Sequence, residues 1–133
     1  MINLRQQKLS TDKLVLLGKS AESNEELVNQ ADNNELLLHT AKPGSPFANI
    51  KSPEKDLIKS EIYEAAIMCA KYSQDWRDNK KNVIIHIFSK KNTYKDKSMP
   101  AGTFGVKDYK EIIVKKEDII KFETQNGTHK ESD

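Results

Sequence analysis

The sequence predicts an α+β domain: a mixed, largely antiparallel sheet of five to six strands covered by one long and one short helix. Three observations predict it. Short apolar runs of strand length, each closed by turn-forming residues, recur along the chain. One longer segment carries apolar residues at three-four spacing, the pattern of a helix with a single buried face. Hydrophobic residues make up 36% of the chain and charged residues 32%, so the core is thin and the surface densely charged, as where a helix lies on a sheet. A chain of 133 residues suits one such core, and no second folded unit is expected.

Residues 1–10 are polar around isolated apolar positions such as Ile2 and Leu4, too few to anchor an element, and read as a flexible N-terminal arm. The domain is expected over residues 11–122. Lys13-Leu14-Val15-Leu16-Leu17, closed by Gly18, suits a buried strand. Ser23 followed by Asn24-Glu25-Glu26 places a capping hydroxyl before acids that the helix dipole favours, predicting a short helix over about 24–30. Ala31-Asp32-Asn33-Asn34 is a turn cluster, and residues 35–41 read as the next strand. Lys42-Pro43-Gly44-Ser45 orders Pro and Gly as a type II turn requires, with Gly supplying the positive φ, and Pro46 to Lys51 is the returning strand.

Ser52-Pro53-Glu54 resembles a helix start, with Pro at the first helical position, and the helix is expected to run to about Arg77. Ile58, Ile62, Ala65, Ala66, Cys69 and Ala70, with Tyr72 or Ser73 and finally Trp76, form its buried face. Lys55, Lys59, Glu61, Glu64 and Lys71 fall on the solvated side. Asn82 to Phe88 is the most apolar run and predicts a strand buried on both faces, with His86 a hydrogen-bonded core residue. A lysine-rich loop follows from Ser89 to Pro100. Gly102 to Val106 and Glu111 to Val114 read as the two strands of a hairpin, and residues 123–133 as a disordered polar tail.

Composition then narrows function. The chain holds no apolar run long enough to span a membrane and its start lacks a signal-peptide pattern, so a cytoplasmic protein with no membrane contact is expected. A single cysteine, Cys69, forms no disulfide within the chain and has no partner at zinc-ligand spacing; it reads as an inert small hydrophobe. No metal or cofactor is expected. Neither a phosphate-binding glycine loop, a nucleophile elbow nor an apolar carboxylate pair occurs, so nothing supports an enzyme. The net charge of +2 is unevenly spread: residues 80–116 carry 10 lysines against 3 acids, whereas the segments on either side are net negative. Positive charge concentrated in about a quarter of the chain points to a polyanionic partner.

Two sets of residues are candidates for that contact. Lys90, Lys91, Lys95 and Lys97 neutralise phosphates while Tyr94 stacks on an exposed base; the plainer reading is a solvated loop. His39 with Lys42, Gly44 and Ser45 places an imidazole, an ammonium, backbone N–H groups and a hydroxyl around one phosphate; the plainer reading is a sterically favoured turn. Lys19 and Asn24 join the same face where a helix begins, against the plainer reading of a surface lysine and a capped helix.

Several pieces stand in the order of a known family. Gly18-Lys19-Ser20-Ala21-Glu22-Ser23-Asn24-Glu25, Leu38-His39-Thr40-Ala41-Lys42-Pro43-Gly44-Ser45-Pro46-Phe47, the helix with Glu64-Ala65-Ala66 leading to Tyr72-Ser73 and Trp76, and Gly102-Thr103-Phe104 together resemble the NFACT-R domain. That domain is the RNA-binding part of ribosome quality-control factors. The resemblance covers roughly residues 12–116. It departs at Lys13, where a turn glycine is usual, at Gly18, which stands for a glycine pair, and at Lys42, where an acid often follows the histidine. It implies a non-catalytic RNA-binding module, with tRNA or rRNA as ligand, the ribosome as a further partner and duplex DNA held only through its phosphates. A monomer is expected. The large N-terminal domain and coiled-coil arm of the full factors are not in this sequence, so recruitment of tRNA or elongation of stalled peptides by this chain alone is not implied. Two other readings stand beside it: a protein-interaction or adaptor domain whose lysines only solubilise, and the accessory tRNA-binding domain of a tRNA-thiolating enzyme.

Overall fold

The structure, a computed structural model, describes residues 4–131, with the backbone only for 126–131. Its strands are β1 (Arg5–Lys8), β2 (Leu14–Leu17), β3 (Glu35–Thr40), β4 (Ala48–Pro53), β5 (Val83–Ser89), β6 (Thr93–Tyr94), β7 (Gly105–Val106) and β8 (Lys110–Val114). Its helices are α1 (Ala21–Gln30), α2 (Lys59–Lys71), α3 (Gln74–Asn79) and α4 (Lys116–Glu131). Among the described residues, six strands form one sheet in the order β1-β2-β4-β3-β5-β8, and β6 pairs with β7 in a separate ribbon. Every pairing is antiparallel, the α+β arrangement that the alternating apolar runs predict.

Strand side chains alternate between faces, so each apolar run splits in two. Val15, Leu17, Leu36, Leu38, Ala48, Ile50, Val83, Ile85 and Val114 face α2, Trp76 of α3 and Ile119 of α4. Ala65, Ala66, Cys69 and Ala70 are fully buried, and their small size lets the α2 backbone lie close to the sheet. Leu37, Phe47 and Phe88 point the other way, against Leu27 and Val28 of α1, with Phe104 and Val106 packed alongside. The core therefore has two unequal halves divided by the sheet.

The structure corrects several expectations. The N-terminal arm is in part an edge strand: Arg5 to Lys8 pair with Leu17 to Leu14, and Leu9 is buried at the turn; residues 1–3 lie outside the described residues. What anchors it is polar. Glu64 accepts from the backbone N–H of Ser10 at 3.0 Å, and Glu61 accepts from Thr11 Oγ1 at 2.5 Å and Lys13 Nζ at 3.0 Å. Glu61, expected on the solvated side, is only 4% exposed. The Thr11 hydroxyl, the Ile58 N–H and Lys13 hold its carboxyl down to about 2.

The long helix is two helices, and it starts late. Pro53 ends β4 opposite Glu35 instead of opening a helix, a single 3-10 turn follows at Glu54–Asp56, and α2 begins at Lys59. Pro has no N–H to give a ladder, which suits a strand end as well as a helix start. Ile58 lies outside the core at 60% exposure. The helix breaks at Tyr72, where the buried Ser73 accepts from Trp76 N and caps α3. The α1 cap is likewise Ser20, three residues before the expected Ser23, because Ser20 and Ser23 bond reciprocally to each other's backbone N–H.

The expected late hairpin does not form. Gly105–Val106 pairs with Thr93–Tyr94, and Lys110–Val114 instead joins the main sheet beside β5. β5 is buried on both faces only towards its end, where Phe88 packs under α1; at its start the second face is open, with Ile84 41% exposed. The tail expected from residue 123 is helical backbone through Glu131, with Ile119 buried in the core and Glu123 accepting from Trp76 Nε1 at 3.0 Å; residues 132–133 lie outside the described residues.

Candidate nucleic-acid interface

α1 covers only part of its face of the sheet. Beyond Leu37, β3 turns His39 to this face, directly opposite His86 of β5. The His39 ring centroid lies 4.4 Å from that of Phe47, and Phe104 meets Phe47 edge-on at 5.9 Å. These rings, with Phe88, Asn24, Gly44, Ser45 and Thr103, line an open cavity of about 550 Å³. Aromatic walls with polar backbone at the rim suit a flat heterocycle.

His39 Nδ1 lies 2.9 Å from the Thr40 carbonyl, an obligate acceptor, so Nδ1 carries the proton. Burial lowers the His39 pKa, the nearby His86 lowers it further, and hydrogen bonds to backbone only partly oppose them. The ring is therefore neutral at pH 7, leaving Nε2 a lone pair. His86, expected in the core, is half-buried on this open face, 2.8 Å from Glu111 and stacked on Tyr109 at 4.1 Å between centroids. Its alternation with Val83, Ile85 and Ile87 is the signal that sets it on the face of His39.

The turn that walls the cavity is built as its sequence suggests. Gly44 has φ +89°, and a Cβ there would sit 2.9 Å from Gln74 Cβ. Gln74 N donates to the Gly44 carbonyl at 2.8 Å, tying the turn to α3. Ser45 is spent internally: its hydroxyl accepts from Thr40 N at 3.1 Å and donates to the Pro46 carbonyl at 3.3 Å. Lys42 keeps its ammonium in solvent, 3.6 Å from Asp75. Asn24 Oδ1 accepts from Phe47 N at 3.0 Å, crossing so close above Gly18 that a Cβ there would lie 1.8 Å from it. Only glycine fits under that bond.

The lysine loop divides by role. Lys90 donates to the carbonyls of Ala31 at 3.1 Å and Asn29 at 3.5 Å, covering the C-terminal end of α1 where a cation is favoured. Lys95 Nζ donates to Glu25 Oε1 at 2.8 Å, Pro100 O at 2.7 Å and Thr103 O at 2.8 Å, and lies 4.5 Å from the Phe104 ring centroid. Glu25 also accepts from Gly102 N at 2.8 Å; Lys95 first and this N–H second hold its carboxyl below the ordinary range. Gly102, at φ +82°, comes so near α1 that a Cβ would lie 2.9 Å from Ala21 Cα. Glu25 thus clamps the loop to α1 and sets Thr103 and Phe104 on the cavity wall. Lys91 and Lys97 are exposed and their ammonium groups have no partner among the described residues. Tyr94 is 45% exposed, lying over Gly105, but neither it nor these two lysines line the cavity.

Lys19 lies behind the turn, in a second cavity of about 330 Å³ that shares Ala21, Asn24, Gly44 and Ser45 with the first. Arg5 and Arg77 line it too, two residues that reading the sequence passed over because one lay in the presumed arm and the other at a helix end. Cys69 is buried and burial pushes its thiol up to about 12, so it takes no part. Among the described residues there is no cluster of potential metal ligands, and no helix is long and apolar enough to cross a membrane.

Comparison with known proteins bears on what this face meets. The comparison with curated proteins gave no match. A solved structure titled as the C-terminal of the fibronectin/fibrinogen-binding protein from Streptococcus suis shares the fold with a TM-score of 0.76 at 19% identity. The match covers 84% of this chain and 45% of that one, so this chain spans less than half of its length. A family model described as the NFACT protein RNA binding domain matches residues 5–108, a span that holds β1 through β7, both cavities and the lysine loop. The chain belongs to the family of NFACT protein RNA binding domains.

Proposed function

We propose that the chain is a non-catalytic cytoplasmic module that holds tRNA or rRNA at the His39 cavity and serves ribosome quality control or tRNA metabolism. The observation that carries this is the open cavity in which β3, β4, the turn at Gly44 and the loop at Phe104 bring His39, Phe47 and Phe104 together, on a domain whose family binds RNA. An RNA base splayed from its stack finds aromatic surface there, the neutral His39 Nε2 accepts from an amino group or a 2′-hydroxyl, and Lys42, Lys91 and Lys97 meet phosphates around it. Affinity is then mainly electrostatic and depends on RNA shape more than on sequence.

Competition at fixed salt tests this, with labelled tRNA displaced by unlabelled tRNA, rRNA fragments, an unstructured RNA of equal length or duplex DNA. Displacement by tRNA or rRNA at lower concentration than by the other two supports the reading, and equal displacement by all four contradicts it. The name of the solved neighbour supports a second reading, a protein-binding role, so fibronectin and fibrinogen belong among the competitors. Salt-insensitive binding to either, without RNA binding, favours that reading.

A further inference from the structure

We propose that the cavity between Arg5, Lys19 and Arg77 is a phosphate pocket, and that the ligand spanning it and the His39 cavity is an unpaired RNA nucleotide. The proposal rests on the RNA-binding reading and names the ligand class and the phosphate contact of that same site.

Three cations reach the cavity from parts of the chain far apart in sequence: β1, the loop before α1, and α3. Two of them are fixed around one residue, Tyr72. The Arg5 guanidinium lies 3.8 Å from the Tyr72 ring centroid. Arg77 donates through one nitrogen to the Tyr72 carbonyl at 3.1 Å and through the other to Gln74 Oε1 at 2.9 Å. A π-face, a carbonyl and an amide oxygen orient these groups without neutralising them. Among the described residues no carboxylate lines the cavity. A planar donor that gives two parallel hydrogen bonds, as guanidinium does, matches phosphate oxygens in shape as well as charge.

The two cavities meet along a shared wall of Ala21, Asn24, Gly44 and Ser45. A phosphate beside Arg5 and Arg77 leaves its sugar over this low wall and its base among the rings of His39, Phe47 and Phe104. Gly44 contributes no side chain above the wall. A base in a duplex is stacked and paired and cannot enter such a cavity, whereas loops and ends of folded RNA supply splayed bases.

Fluorescence anisotropy tests the proposal on the full chain, with one labelled oligoribonucleotide as a single strand and the same sequence as a duplex. The proteins are wild type, Arg5→Gln with Arg77→Gln, Arg5→Lys with Arg77→Lys, and Lys19→Gln, each checked for fold by circular dichroism. Both glutamine variants are expected to weaken single-strand binding, the double variant by about tenfold, and to lower the salt slope by roughly 0.7, the value of one phosphate on a single strand. The lysine pair keeps the slope, and duplex binding changes little. Should the double glutamine variant unfold, exposed Lys19→Gln decides alone. Unchanged single-strand affinity and slope in the folded glutamine variants overturns the pocket, as does an equal loss for the duplex. Failure of the wild type to bind either RNA overturns the RNA-binding reading beneath it.

Discussion

His39 and His86 stand opposite each other across the β3–β5 ladder, on the face of the sheet that α1 leaves open. Both rings are half-buried, and burial holds the His39 pKa below the ordinary 6.5. The unfolded chain therefore takes up this proton more readily than the folded one. The contribution of His39 is fully present above about pH 6.5 and is lost as pH falls through the lowered value. Tyr109 and Glu111 lie beside His86, and Thr40 and Ser45 beside His39. Urea unfolding from pH 7.5 to 5 should show stability falling with pH in the wild type and a shallower fall in His39→Gln. Identical slopes would contradict the half-buried, neutral ring.

Glu61 supplies a second pH dependence in a separate window. Its carboxyl is held at about 2 in the folded chain against an ordinary 4.5, so its contribution is present above pH 4.5 and lost as pH falls toward 2. Glu61→Gln should lower Tm by several degrees at pH 7 and flatten the acid-unfolding curve, because the β1–β2 turn loses its hold on α2. Hydrogen exchange should then quicken first in Arg5 to Lys8. A variant with wild-type Tm and unchanged exchange in β1 would show that the hairpin stands without this anchor.

The lysine loop should separate into two classes under alanine substitution. Lys95→Ala removes the bonds to Glu25, Pro100 and Thr103 and should cost about 1 kcal/mol of stability, with faster proteolysis between Asp96 and Thr103. Lys91→Ala with Lys97→Ala should leave stability within about 0.5 kcal/mol and weaken RNA binding, since both side chains are exposed. Thermal melts and anisotropy on the same preparations check both. Equal Tm loss in the two proteins would contradict the division.

Cys69 should be silent in the folded state. It is fully buried, with its thiol pushed up to about 12 and its Sγ 3.4 Å from the Pro46 carbonyl. A thiol reagent at pH 8 should label it only once urea unfolds the chain. Rapid labelling without denaturant would mean that α2 opens from the sheet under native conditions.

Much of this fold is legible in the sequence where a repeating period reports burial. The run Val83 to Phe88 and the small residues Ala65, Ala66, Cys69 and Ala70 declare their elements because apolar area enforces them. β1 is hidden because an edge strand needs a ladder and a few polar anchors, and Gln6, Gln7 and Lys8 carry no apolar signal. Nearness in sequence suggested a hairpin of residues 102–114, but Tyr94 pairs with Gly105 and Ile113 with Ile84. The site is legible in part. His39 and Gly44 declare themselves through a strand end and a turn. The internal duties of Lys90 and Lys95, and the meeting of Arg5 with Arg77 at Tyr72, depend on partners some 60 to 70 residues away, which no local pattern encodes.

The most direct test of the central claim is the anisotropy of labelled tRNA titrated with the wild-type chain and with His39→Ala across several salt concentrations. Four phosphate contacts predict a log–log slope of roughly −3 to −4, and loss of the ring at the cavity wall predicts affinity weakened by about tenfold at every salt with the slope retained. Absence of binding at low salt, or a His39→Ala protein that binds as the wild type does, would contradict RNA recognition at this cavity.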